Sequence, residues 1–317
     1  MMRIAIFILC LFYSFSINAQ LQWKQVNHSF GELPASINIF FTDQKIDTAP
    51  FRAYYVIVDL GDRALDFTTD TTWNRRLKPS EFHERHHAPL LVVNGTFFSF
   101  QTNRNLNLVM KDGNILSHNP FIHRKPAKDT IEKFFYSSAI GITAGRQADI
   151  AWVMTDSTEN TVYATQVPTN KIAVKKQMMK LEMSDGDLPV YFEPWAMHTS
   201  IGGGPVLIQN GNQLITNNEE RKFGGKGLYD KHPRTAMGYT ADGKLVILAV
   251  EGRNPEASGA SLPQLAGILQ ELGCIEAMNL DGGGSSCLLV NGKETIRPSD
   301  KEGQRPVPAV FMIKKAD

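Results

Sequence analysis

With 317 residues, 42% of them hydrophobic and 21% charged, the chain has the composition of a globular protein long enough for one large core or two modest ones. A formal net charge of +1 excludes the broad basic face on which nucleic-acid binders rely, leaving only a local basic patch open. No nucleic-acid partner is expected.

Taken in chain order, the first segment, Met1 to Ala19, is a predicted signal peptide. Arg3 precedes an apolar run from Ile4 to Phe15, and Ile17-Asn18-Ala19 ends in a small residue before Gln20. The run is too short for a stable spanning helix, and Cys10 lies within it without small residues before it, which argues against a lipoprotein anchor. The mature chain is therefore expected to be secreted or periplasmic, with no stable membrane insertion.

From Gln20 onward we read a single domain, 20–317, with a β-rich N-terminal part to about residue 89. Short apolar stretches at Ile37–Phe41 and Tyr54–Leu60, separated by Pro, Gly and Asp, predict strands. Pro79-Ser80-Glu81 starts a predicted helix to His87, on which His83, His86 and His87 read as a solvated face rather than a metal site. Leu90–Val93 is a predicted buried strand that ends at Asn94-Gly95-Thr96.

Asp112-Gly113, Asn210-Gly211, Asp242-Gly243 and Asn291-Gly292 each separate two apolar runs, the signature of tight hairpins. Helix is expected around Lys175–Leu181, and a clear one from Ser261, with Pro263 in its first turn, to Gly273. The fold class predicted is α+β, mainly antiparallel sheets with several β-hairpins and a few packed helices.

The chemistry-bearing residues gather at predicted strand ends. Lys244–Val250, apolar enough for burial on both faces, ends in Glu251-Gly252-Arg253. The preceding strand begins after His232-Pro233-Arg234-Thr235, and Gly202-Gly203-Gly204-Pro205 opens another. The run Cys274–Leu280 leads through Asn279 to Asp281-Gly282-Gly283-Gly284-Ser285-Ser286. In an extended run Asn279 and Asp281 project to one side. The three glycines let a ligand approach the backbone, where N–H groups can face an anion. A hairpin around this loop would leave Cys274 and Cys287 several residues out of register, against the close approach that a disulfide needs.

These blocks, together with Arg305-Pro306-Val307, resemble the phosphodiester glycosidases, the family of the lysosomal uncovering enzyme. The resemblance covers about residues 90–313. Two positions depart from the usual pattern: Thr96 stands where a second glycine is usual, and Glu251 where aspartate is usual. The resemblance implies a secreted hydrolase that frees a sugar from a glycosyl phosphodiester, such as an N-acetylglucosamine-1-phosphodiester, or acts on an envelope glycan. Such a reaction needs a carboxylate pair at the anomeric carbon, for which Asp281 and Glu251 are the candidates, with His232 as a second acid. Phosphate donors would come from Arg234, Arg253, Arg305 and the glycine loop (Gly282, Gly283, Gly284, Ser285). Asn94, Gly203, Gly204, Thr235 and Asn279 complete the expected substrate-binding set.

Two other readings stay open. One is a non-catalytic module binding glycan or sugar phosphate. The other is a metal-dependent phosphodiesterase, with Asp281, Asn279 and Glu251 as oxygen ligands to a divalent cation.

Overall fold

The computed structural model describes residues 21–124, 131–134, 136–168, 173–174, 180–181 and 190–316. The segment read as a signal peptide lies outside them. Among the described residues no helix is long and apolar enough to cross a membrane.

Three antiparallel sheets dominate. An eight-stranded sheet runs from edge to edge through Lys24–Gln25, Ile37–Thr42, Ala53–Asp59, Lys244–Val250, Arg234–Thr240, Cys274–Asn279, Val206–Gln209 and Asn212–Gln213. A seven-stranded sheet is centred on Ser137–Ile142, with Asn114–Ser117 at one edge. A five-stranded sheet holds Lys293–Glu294, Leu288–Val290, Leu91–Asn94, Ala309–Lys315 and Leu65–Thr71. Segments from both ends of the chain thus interleave, as where Ala53–Asp59 pairs with Lys244–Val250.

The strand Lys244–Val250 shows why the sequence folds this way. Its period-2 alternation sends Leu245, Ile247 and Ala249 into one core cluster and Val246, Leu248 and Val250 into another. The first cluster is shared by all three sheets, through residues such as Val56, Trp152 and Phe311. The second lies under the helix Leu262–Glu271, whose Leu262, Leu265, Ala266, Ile268 and Leu269 face the sheet. Each buried Leu or Ile is worth about 1.5–3 kcal/mol relative to exposure. The Ser261 hydroxyl accepts from the Gln264 N–H to cap that helix, and Gly273, at φ 84°, ends it.

Three of the predicted turns carry both central residues in the left-handed region: Asp112-Gly113, Asn210-Gly211 and Asn291-Gly292. At Asp242-Gly243 only the glycine does, at φ 77°. Helices are fewer than the α+β expectation implied. Among the described residues the α-helices are Pro79–Arg85 and Leu262–Glu271, and the fold is sheet-dominated. The first stops short of His87, because His87 and Ala88 turn to φ 56° and 61°. Where helix was expected up to Leu181, Lys180–Leu181 instead pairs antiparallel with Val190–Tyr191, and 175–179 lie outside the described residues. Cross-strand pairing there outweighs local propensity.

The glycine loop is not a hairpin turn either. Cys274–Asn279 sits between two strands of the eight-stranded sheet, whereas Leu288–Val290 pairs with Leu91–Asn94 in the five-stranded one. The loop therefore carries the chain from one sheet to another. Cys274 and Cys287 end as free thiols in separate cores.

Candidate functional site

Strand ends meet at the glycine loop through backbone bonds. The Asp281 N–H donates to the Gly95 carbonyl (3.0 Å), Leu280 N–H to Thr235 (2.8 Å), Gly283 N–H to Pro233 (2.8 Å) and Gly204 N–H to Asn279 (2.7 Å). Asn94, fully buried, ties the junction together. Its amide donates to the Asp281 carbonyl (2.7 Å), and its Oδ1 accepts from the Thr235 hydroxyl (2.8 Å) and the Cys287 N–H (3.0 Å). Asn279 donates to the Gly204 and Leu280 carbonyls, and its Oδ1 has no partner. Gly203 allows equally close contact, since a Cβ there would lie 2.6 Å from the Asn279 carbonyl oxygen. Asn94, Thr235, Gly203 and most of Asn279 thus spend their polar groups on architecture.

Asp281 is half-buried as a residue, and its carboxyl is crowded by surrounding protein atoms. Burial raises its pKa from the ordinary 3.8 to about 6, against the opposing pull of the Ser285 hydroxyl, the Gly282 N–H (2.9 Å) and the Arg305 charge. Two guanidinium groups flank the loop. A Cβ on Gly283 would stand 3.0 Å from Arg253 Nη2, and one on Gly284 only 2.1 Å from Arg305 Nη2. Arg253 is exposed and at φ 63°. Arg305 donates to Asp300 (2.6 Å) and reaches Ser285 Oγ at 3.4 Å. The loop's own amides are largely spoken for: those of Gly282, Gly283, Ser285 and Ser286 all donate within or beside the loop. The groups beside the loop left to meet an anion are therefore the two guanidinium groups rather than a backbone cradle.

The other expected residues occupy different positions. Arg234 is buried and donates to the carbonyls of Ala260 (3.0 Å), Asp230 (3.1 Å) and Gly227 (3.4 Å), with its guanidinium 5.4 Å from the Phe223 ring centre. Desolvation lowers its pKa to about 10, so it remains charged at neutral pH. Glu251 is buried with both oxygens engaged, accepting from Asn254 Nδ2 (3.0 Å) and the Arg297 N–H (3.0 Å). This clasp fixes the turn that presents Arg253. His232 Nδ1 lies 3.3 Å from Arg253 Nη2; burial, with the Arg234 and Arg253 charges, pushes its pKa down and favours the neutral ring.

Lys222 has no counterpart in the sequence reading. Its ammonium donates to the Ser137 hydroxyl and lies 5.2 Å from the Phe97 ring centre, and burial lowers its pKa. A Cβ on Gly204 would come within 2.4 Å of Lys222 Cε, so Gly204 leaves room for it. The one sequence signal was the glycine-rich stretch 222–227, which carries no recognisable spacing. Glu220 accepts five bonds beside it, from Ser138 N–H and Oγ, Trp152, Val206 N–H and Thr216. For a cation, no group of three or more His, Cys, Asp or Glu side chains converges among the described residues. Of the expected donor set, Glu251 already has a donor on each oxygen, so these residues fit a divalent ion poorly.

The site thus combines an antiparallel three-sheet fold with one carboxylate and two guanidinium groups around a glycine loop. The sequence pattern of the phosphodiester glycosidase family matches residues 88–314, and the chain belongs to that family. Among its relatives is mouse N-acetylglucosamine-1-phosphodiester alpha-N-acetylglucosaminidase, 34% identical over 108 residues, or 32% of this chain and 21% of that protein. A prophage-derived uncharacterized protein of Bacillus subtilis is 46% identical over 70 residues, 22% of this chain and 11% of its own length. The matched stretches therefore span only a small part of these curated relatives. Among solved structures, the catalytic domain of the zebrafish N-acetylglucosamine-1-phosphodiester alpha-N-acetylglucosaminidase shares the fold, with TM-score 0.59, 19% identity, and coverage of 94% of this chain and 89% of that one. A hypothetical protein from Synechocystis gives TM-score 0.61 at 17% identity, over 93% of this chain and 64% of its own.

Proposed function

We propose that the chain is a secreted hydrolase that cleaves a sugar from a glycosyl phosphodiester, an N-acetylglucosamine-1-phosphodiester or a related envelope glycan, with Asp281 as the essential carboxylate. The observation that carries this reading is the position of Asp281 at the head of the glycine loop, with the Arg253 and Arg305 guanidinium groups against Gly283 and Gly284. In the reaction the bond from the anomeric carbon to the phosphate oxygen breaks. The sugar gains the hydroxyl of water and the phosphate leaves as a monoester. Ionised Asp281 supports positive charge at the anomeric carbon, or attacks it, while the two guanidinium groups hold the phosphate. A phosphate leaves with little basicity, so proton donation matters less than for an alkyl glycoside. This agrees with a Glu251 whose oxygens accept hydrogen bonds and with a neutral His232. Secretion rests on the signal-like pattern of Met1–Ala19.

The test is incubation of the mature chain with a panel of glycosyl phosphodiesters, with and without chelator. Free sugar plus phosphomonoester is the expected product pair, and Asp281→Asn should abolish it. Sugar phosphate plus alcohol would mean that the other ester bond is cut, as in the metal-dependent alternative. Binding without turnover would make the chain a glycan-binding module. Rates on leaving groups of graded basicity then assign the acid. A loss for Glu251→Gln that grows with leaving-group basicity would restore Glu251 to that role.

A further inference from the structure

A pocket of about 710 Å³ opens beyond the loop 97–106. The Phe98–Asn105 bridge and the Ser99 N–H bond to Arg104 (2.9 Å) pin that loop. On one side it brings Phe100 to 5.4 Å from the Arg305 guanidinium, and on the other it brings Arg104 over the Trp73 ring at 4.8 Å. The volume falls within the ~300–1,000 Å³ usual for small-ligand pockets.

Trp73 is the unusual feature. It lines the pocket and is 73% exposed, although burying an indole is among the most favourable contributions a side chain can make. Arg104 lies over one face of the ring, the Arg104 Nε bond to Asn74 Oδ1 (2.9 Å) fixes that arrangement, and at 73% exposure the indole otherwise remains largely open as apolar surface. Leu106 and Leu116, 40% and 38% exposed, add apolar surface at the rim. Planar polar groups line the same pocket: Asn74, whose Oδ1 accepts from Arg104; Asn105, whose amide donates to the Thr71 hydroxyl and whose Oδ1 accepts from Thr96; and the Arg104 guanidinium, whose Nη nitrogens have no hydrogen-bond partner among the described residues. His118 lines the far wall, and its Nδ1 is buried without a partner.

An exposed indole beside the Asn74 amide and a guanidinium with free Nη groups is the chemistry of sugar recognition. The C–H face of a pyranose packs flat on the ring, and its hydroxyls, each both donor and acceptor, suit amides and a guanidinium fork. We infer that this pocket is a saccharide-binding site, separate from the Asp281 site and one loop away from it, taking a pyranose ring of a longer glycan on the open face of Trp73. A peptide would instead add to the edge strand Asn114–Ser117 beside the pocket. That strand is short, however, and would not explain an indole held upright by Arg104.

The inference goes beyond the catalytic reading and is tested without turnover. Isothermal titration of the mature chain with chitotetraose, mannotetraose and laminaritetraose, and with an unrelated extended peptide as comparison, should give a dissociation constant below about 1 mM for at least one saccharide. Trp73→Ala should weaken it at least about tenfold with no fall in melting temperature, since the ring is exposed, and Trp73→Phe should recover much of the loss. Asp281→Asn should leave that affinity within about twofold, which separates the fate of this site from that of the catalytic proposal. No saccharide binding, binding of the peptide alone, binding indifferent to Trp73→Ala, or binding lost in Asp281→Asn would each overturn it.

Discussion

At the scale of single residues, the energetics centre on Asp281. Burial raises its pKa to about 6, so the folded chain holds the proton more tightly than the unfolded chain does. The stability this provides is fully present below the unfolded pKa, near 4, and is lost as pH rises through about 6. Asp281→Asn removes the charge and should therefore raise stability at pH 8 by on the order of 1–3 kcal/mol, with the gain fading towards pH 4, measured as urea midpoints at the two pH values. If Asp281 is the catalytic carboxylate proposed above, the same variant should lose turnover, and in the native chain turnover should rise as pH climbs through about 6, when the carboxylate forms. Arg253 and Arg234 divide the remaining charge work. Arg253 is exposed, and Arg253→Lys should lower kcat/KM about tenfold through loss of the planar fork while leaving the melting temperature unchanged. Arg234 is bound to three carbonyls, so Arg234→Lys should instead lower stability by about 1–3 kcal/mol. Parallel thermal melts and kinetics on both variants distinguish the two roles.

At the scale of elements, the loop Asp281–Ser285 shows how a backbone without side chains admits charge. A methyl on Gly284 would press on the end of the Arg305 side chain, a flexible neighbour, rather than on backbone. Gly284→Ala should therefore fold with nearly the native melting temperature yet raise KM about tenfold by displacing that guanidinium. An unchanged KM would remove Arg305 from the site. What was legible in the sequence follows the reach of each cause. Asp112-Gly113 and Asn291-Gly292 announced their turns because φ > 0 is a local demand. The helix Leu262–Glu271 carried its own cap and period. That the glycine loop links two sheets could not be read, because the strand that draws Leu288–Val290 into the five-stranded sheet is Leu91–Asn94, nearly two hundred positions earlier. At the site, Asp281, Arg253 and Arg305 stood out by motif, whereas Lys222 did not, since only the fold brings it to Gly204 and Ser137.

For the molecule as a whole, Asn94 is the joint. One buried side chain binds the Asp281 carbonyl, the Thr235 hydroxyl and the Cys287 N–H, and so links the two sheets that meet beneath the site. Asn94→Ala leaves two donors and a carbonyl unsatisfied in the interior and should cost about 2–4 kcal/mol, read as a lower urea midpoint. A smaller loss would mean that the sheets are joined mainly by their apolar faces. The thiols add nothing covalent to this joint. The melting temperature should be the same with and without reducing agent, because Cys274 and Cys287 are buried apart.

The pairing of Ala53–Asp59 with Lys244–Val250 also sets a schedule for synthesis. Asp59 and Lys244, whose side chains bond across that pair, lie 185 positions apart. At ~5–20 residues per second, the earlier strand waits about 10–40 s for its neighbour, with one edge bare and apolar. A nascent chain of this design should need that edge held covered until Lys244–Val250 emerges. Truncation ahead of residue 244 would therefore leave a sticky fragment rather than a smaller working protein.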